Sequence, residues 1–156
     1  MTMKGTWQST KTYAHSVGLS CCFRQWRAGS HCNYLHGYSL KVKFTFETNY
    51  LDERNWVVDF GGLKNLKGFL EDNFDHKCLV AEDDPEFELF QQMARKNLID
   101  MITVPATGCE RFAEMIYEFT EQWLKDAGFG PRCHLVSVEV SEHEGNSASY
   151  LGIMAT

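Results

Sequence analysis

A thiol, an imidazole and a phenol fall within seven residues in Cys32-Asn33-Tyr34-Leu35-His36-Gly37-Tyr38, just upstream of a strongly alternating segment. A cysteine can carry a proton at neutral pH only as far as a nearby cation, base or metal raises its thiolate fraction, because a free thiol ionises near pH 8.5. His31, His36 and Arg27 are the local groups able to do this. Beyond Tyr38, the apolar Leu40, Val42, Phe44 and Phe46 alternate with Ser39, Lys41, Lys43 and Thr45, the period of a strand with one buried face. His36 and Tyr38 share the parity of that face, so the start of the strand aims both inward. Gly37 between them allows a bend or a close backbone approach.

Three further groups could take part. Val136, Val138 and Val140 share one parity with Glu142, and a carboxylate at the end of a buried face must be paired, hydrogen-bonded or protonated. Asp75-His76 is a neighbouring carboxylate and imidazole of the kind that orients and charges a proton carrier. His36 could ligate a metal, with His15, Cys21, Cys22 and His31 as companions. Catalytic zinc needs three protein ligands and an open position, and Cys32-x3-His36 alone does not specify them.

The elements that must position these groups are read from periodicity. Residues 12–23 are expected to form a strand that pairs as a hairpin with 38–48, across a long loop holding Arg24, Trp26, Arg27 and His31. Leu63, Leu66, Phe69 and Leu70 predict a helix over 61–73. Residues 75–85 read as irregular and acidic, 86–96 as a short amphipathic piece and 99–104 as an apolar segment. Thr107-Gly108-Cys109-Glu110 has the form of a capping box and opens a helix expected to reach residue 127. A final hairpin is expected from 133–142 and 147–153 through Gly145-Asn146.

Composition narrows the class. The chain has 156 residues, 44% hydrophobic and 23% charged, which predicts one domain over 1–156 with a well-buried core. A formal net charge of -6 argues against nucleic-acid or anionic-membrane binding. The polar stretch 1–13 and the lack of a run long enough to span a bilayer lead us to expect a soluble, cytoplasmic protein. The 6 cysteines form no C-x-x-C pair and read as reduced thiols.

The ordered set Cys32-x3-His36-Gly37-Tyr38, Val58-Asp59-Phe60-x2-Leu63, Asp75-His76-x2-Leu79, Glu110-x2-Ala113 and Val140-x-Glu142 resembles the 6-pyruvoyltetrahydropterin synthase family. The likeness runs over 19–152 and is strongest to its 6-carboxytetrahydropterin synthase branch, which serves 7-deazapurine (queuosine-type) biosynthesis. It implies an α+β tunnelling fold, a four-stranded antiparallel sheet with two main helices on one face, joined in trimers or hexamers. It also implies a carbon–carbon lyase acting on 7,8-dihydroneopterin triphosphate. Cys32, Asp75 and His76 match the family's proton-transfer group, Glu142 the glutamate that grips the pterin ring, and Glu110 the glutamate at a helix start. Arg24, Arg27 and Lys41 are candidates to meet the triphosphate.

The family binds zinc through three histidines, one ending an F-S-A-A-H-like strand and two in H-G-H. This chain reads Leu19-Ser20-Cys21-Cys22-Phe23 and His36-Gly37-Tyr38, so the implied metal set is His36, Tyr38 and Cys21, or Phe23 at the first position by direct matching. Two competing readings follow: a non-catalytic pterin- or deazapurine-binding homologue, and a metal-free isomerase or aldolase using Cys32 and His76.

Overall fold

The computed structural model describes residues 5–153; residues 1–4 of the polar N-terminal stretch and 154–156 lie outside it. The sheet is built on the long strand β3 (His36–Thr48), in which Leu40, Val42, Phe44 and Phe46 are fully buried. β1 (Trp7–Tyr13) and β2 (Leu19–Phe23) lie end to end along one edge of β3, β1 against 42–48 and β2 against 36–40. The single strand expected over 12–23 is therefore divided. A 3-10 turn, His15–Val17, closes on Gly18 at φ 85, a left-handed conformation that costs glycine nothing because it has no Cβ. β6 (His134–His143) pairs with the other edge of β3, and β7 (Asn146–Leu151) pairs with β6 as the expected terminal hairpin.

The expected four-stranded antiparallel sheet needs correction. β4 (Lys77–Ala81) adds to β2 in parallel, and β5 (Asp100–Val104) adds to β4 in parallel. The result is a mixed seven-stranded sheet in the order β5-β4-β2-β3-β6-β7, with β1 beside β3. β4 falls in the segment read as irregular. Its Cys78, Leu79, Val80 and Ala81 are all buried, so a strand covered on both faces carries no alternation to read.

Three α-helices replace the expected two: α1 (Lys64–Phe74), α2 (Phe87–Arg95) and α3 (Cys109–Asp126). α1 and α3 cover one face of the sheet and meet through Phe69 and Phe119, whose rings stack with centroids 3.8 Å apart. α2 seals the opposite face near β4, where Phe90 packs on Cys78 and Val80. The capping box does not form. Gly108 occupies the cap of α3 at φ 118 with no side-chain capping bond, and the Thr107 hydroxyl donates instead to the Arg24 carbonyl at 2.7 Å. No helix among the described residues is long and apolar enough to cross a membrane.

Gly37 pairs with Cys22 of β2, and a Cβ there would lie 2.7 Å from the Cys21 carbonyl oxygen. Gly37→Ala is expected to spread the two strands and cost roughly 1–3 kcal/mol, read as a lowered urea midpoint with an unchanged slope.

Candidate active site at the β2–β3 end

The pairing of β2 with β3 sets Phe23 opposite His36 and Cys21 opposite Tyr38. Three rings therefore meet: Phe23 to His36 at 5.3 Å, His36 to Tyr38 at 5.3 Å and Phe23 to Tyr38 at 6.0 Å between centroids. Phe112 of α3 closes the base edge-on against Phe23 at 5.0 Å. Nδ1 of His36 lies 2.6 Å from the Tyr34 carbonyl oxygen, so it carries the proton and leaves Nε2 as a free lone pair.

Glu142 reaches this group through a bulge. β6 pairs with β7 through Ser141 and His143, skipping Glu142, and a residue bulged in this way is re-aimed relative to its strand. Its carboxylate lies near enough to the Tyr38 hydroxyl and the Cys109 thiol for its charge to disfavour ionisation of both. Burial first, and then the Glu142 charge, raises the pKa of Tyr38, with Cys32 and Cys109 contributing as near neighbours. Cys109 is pushed up to about 12 mainly by burial, then by the Glu142 and Glu110 charges. The structure thus brings Cys32, His36, Tyr38 and Glu142 together and adds Cys109, whose thiol has no distinguishing sequence signal. Glu110 is exposed and lies over Gly108, at the rim.

The loop carrying Cys32 is held by a buried ion pair. Arg24 binds Asp84 with both ends of its fork, Nε to Oδ2 at 2.8 Å and Nη2 to Oδ1 at 2.6 Å, and its Nη1 donates to Asn33 Oδ1 at 2.8 Å. Asn33 in turn donates to the carbonyls of Trp26 and Ala28, while the Gln25 N–H donates to the Cys32 carbonyl. The Asp84 side chain is 1% exposed, and the pairing with Arg24 holds its carboxyl below the usual carboxylate range. Arg27 stacks on Trp26 and pairs with Asp83 at the surface. Arg24 is therefore committed to structure and does not face a phosphate. Lys41 lies 3.5 Å from Glu144.

Asp75 and His76 lie elsewhere. They bond each other, Oδ1 to Nδ1 at 2.6 Å, with the His76 side chain 87% exposed and its backbone at φ 60. The His76 N–H donates to Ser20 near the start of β2, whereas Cys32 is tied to Gln25 beyond its end. Five residues of extended chain separate these points, about 16 Å at strand spacing. One chain does not bring His76 to Cys32. His15 is also distant from the three rings, with Nδ1 2.5 Å from the Ser39 carbonyl and Nε2 3.4 Å from Glu144.

A family scan matches residues 13–152 to the 6-pyruvoyl tetrahydropterin synthase model. The chain belongs to this family. It is 29% identical over 148 residues to the 6-carboxy-5,6,7,8-tetrahydropterin synthase of Aquifex aeolicus, covering 92% of this chain and 88% of that protein. The enzyme of the same name from Rickettsia bellii is 41% identical over 56 residues, 35% of this chain and 41% of that protein. In fold, the chain is similar to an uncharacterised protein of Wolinella succinogenes, with a TM-score of 0.79, 21% identity and coverage of 95% and 99%. It is also similar to the 6-pyruvoyl tetrahydropterin synthase of Plasmodium falciparum, with a TM-score of 0.69, 18% identity and coverage of 96% and 99%.

Family members are typically zinc proteins, but the donors here do not fit that ion. Phe23 has no donor atom, and the Tyr38 phenol is harder to ionise than a free one. Among the described residues, no group of three or more His, Cys, Asp or Glu side chains is placed to hold a metal. The implied set His36, Cys21 and Tyr38 contributes one ready ligand, the imidazole.

Two outcomes follow. The double variant Phe23→His/Tyr38→His, which supplies the two missing imidazoles beside His36, should bind zinc measurably more tightly than the wild type in a chelator competition. Asp84→Asn should lose about 3 kcal/mol, because it strands a buried guanidinium. The lowered pKa of Asp84 stabilises the fold fully above the ordinary carboxylate value near 3.8, and that contribution is lost as pH falls through the lower folded value. The wild type and Asp84→Asn should therefore converge in stability under acid, as followed by thermal melts against pH.

Proposed function

We propose that this protein is a lyase-type enzyme of pterin biosynthesis, similar in reaction to 6-carboxytetrahydropterin synthase and acting on 7,8-dihydroneopterin triphosphate. The observation that carries this reading is the convergence of Cys32, Tyr38 and Glu142 at the β2–β3 end of a chain in this family. The Glu142 carboxylate, close to Tyr38 and Cys109, has about four acceptor positions, enough to receive two N–H donors from the guanidine-like edge of a pterin. The dihydropterin side chain then extends towards Cys32, which moves a proton on it. Tyr38 and the His36 Nε2 are the polar groups beside its oxygens.

The relay to Asp75 and His76 needs a second copy of the chain, since within one chain they stand at the far end of β2. The outer edges of β1 and β7 are unpaired among the described residues and offer backbone donors and acceptors through which copies can join into a ring. In such a homo-oligomer, trimeric or hexameric, the Asp75–His76 pair of one copy faces the Cys32 of the next. His76, 87% exposed in the single chain, is then covered by its neighbour.

The donor-poor group Phe23, His36 and Tyr38 favours a second reading, a metal-free isomerase or aldolase acting on the same dihydropterin through Cys32 and His76. Incubation with dihydroneopterin triphosphate, with and without added zinc, distinguishes the two by product mass. Release of triphosphate and acetaldehyde supports the lyase. Turnover without acetaldehyde supports the isomerase or aldolase, and pterin binding with no turnover would overturn both. Cys32→Ala should lower the rate by about 10²- to 10⁴-fold. Cys32→Ala and His76→Ala proteins, each inactive alone, should regain activity when unfolded and refolded together, because mixed rings contain intact composite sites.

A further inference from the structure

Away from the three rings, sulfur atoms line up across the other end of the sheet. Parallel pairing places Cys22 of β2 directly beside Cys78 of β4, and Cys78 directly beside Met101 of β5. Residues in one row of a parallel sheet point to the same face, and here it is the face that α2 covers. Cys22, Met93 and Met101 all pack with Cys78 and Phe90 there. Phe23, Leu79 and Ile102, one residue further along, form the matching row on the opposite face, in the main core. Cys22, Cys78 and Met101 also line one open cleft of about 840 Å³, so the row is reachable from solvent.

The two thiols are free, Cys78 buried and Cys22 partly exposed. Neighbouring strands lie about 4.7–4.9 Å apart, which puts side chains paired in one row within reach of a common ion. Thiolates favour soft and borderline ions over calcium or magnesium, and a set of two thiolates and one thioether suits Cu(I) better than zinc, which takes four donors drawn from Cys, His and carboxylates. The core packing around the row excludes competing oxygen donors on its inner side.

We propose that Cys22, Cys78 and Met101 form a binding site for a soft monovalent cation of the Cu(I) class, with two thiolates as principal ligands and the Met101 thioether as a third. Binding forms two sulfur–metal bonds at the cysteines and releases their protons to solvent, with no change of oxidation state. Its three ligands differ from the residues of the pterin reading, although His76 lines the same cleft.

The test is anaerobic titration of the reduced protein with Cu(I) against a chromogenic Cu(I) chelator. The wild type should take one ion from the chelator. Cys22→Ser and Cys78→Ser, near-isosteric changes whose folding is checked by circular dichroism, should each lose it, and Met101→Leu should hold it more weakly. Cys133→Ser should bind as the wild type does. X-ray absorption on the loaded protein should show sulfur neighbours. Failure of the wild type to compete, equal binding by Cys22→Ser and Cys78→Ser, or a nitrogen and oxygen shell at the metal would overturn the assignment.

Discussion

Opposite His36 on the adjacent strand stands Phe23, and opposite Tyr38 stands Cys21; that register is fixed by the close approach of β2 and β3 at Gly37. Because side chains alternate across a strand, a slip of one residue would turn Phe23 and Cys21 out of the core and bring Cys22 in. The fully buried Leu19 and Phe23 hold the pairing against such a slip. A site built at this point inherits its chemistry from the register: one imidazole with a free lone pair, one phenol beside a carboxylate, and a phenyl ring where a third polar ligand would stand.

The same register ties the site to the rest of the sheet. β2 is the one strand that touches both the antiparallel part, through β3, and the parallel part, through β4. Its main-core face feeds the three-ring group, and its other face presents Cys22 to Cys78. Just beyond its end, Arg24 crosses to Asp84 at the exit of β4 and so fixes the loop bearing Cys32 to the parallel part of the sheet. Strong pairing here has a consequence for substrate electrostatics. One arginine of the Cys32 loop, Arg24, is neutralised internally and the other, Arg27, pairs at the surface, so the triphosphate of the proposed substrate would rely on Arg27 exchanging partners, on Lys41, or on cations of the proposed neighbouring copy.

Much of this was legible in the residues. The alternation from His36 to Phe46 located β3 and the inward parity of His36 and Tyr38, because a two-residue period has few other causes. Glu142 was placed on the apolar side by the same count, and the structure delivers it to the site, although through a bulge that no pattern announces. The ordered motifs indicated the family, which the match over residues 13–152 shows. β4 and the split between β1 and β2 were not legible: one strand is apolar throughout, and the break depends on a single left-handed glycine. The capping box failed because Thr107 found a better partner across the fold than along its own helix.

By itself, the sequence determined which side chains could do chemistry and which face of its strand each would take, since both follow from residue type and local period. Only the tertiary structure decided which of them meet. Cys32 and Glu142, 110 positions apart in the chain, share the neighbour Tyr38, while Asp75 and His76 are held at the other end of β2. Proximity of this kind is set by strand order, register and long-range ion pairs such as Arg24 to Asp84. Those depend on the summed packing of the whole core rather than on any segment of it.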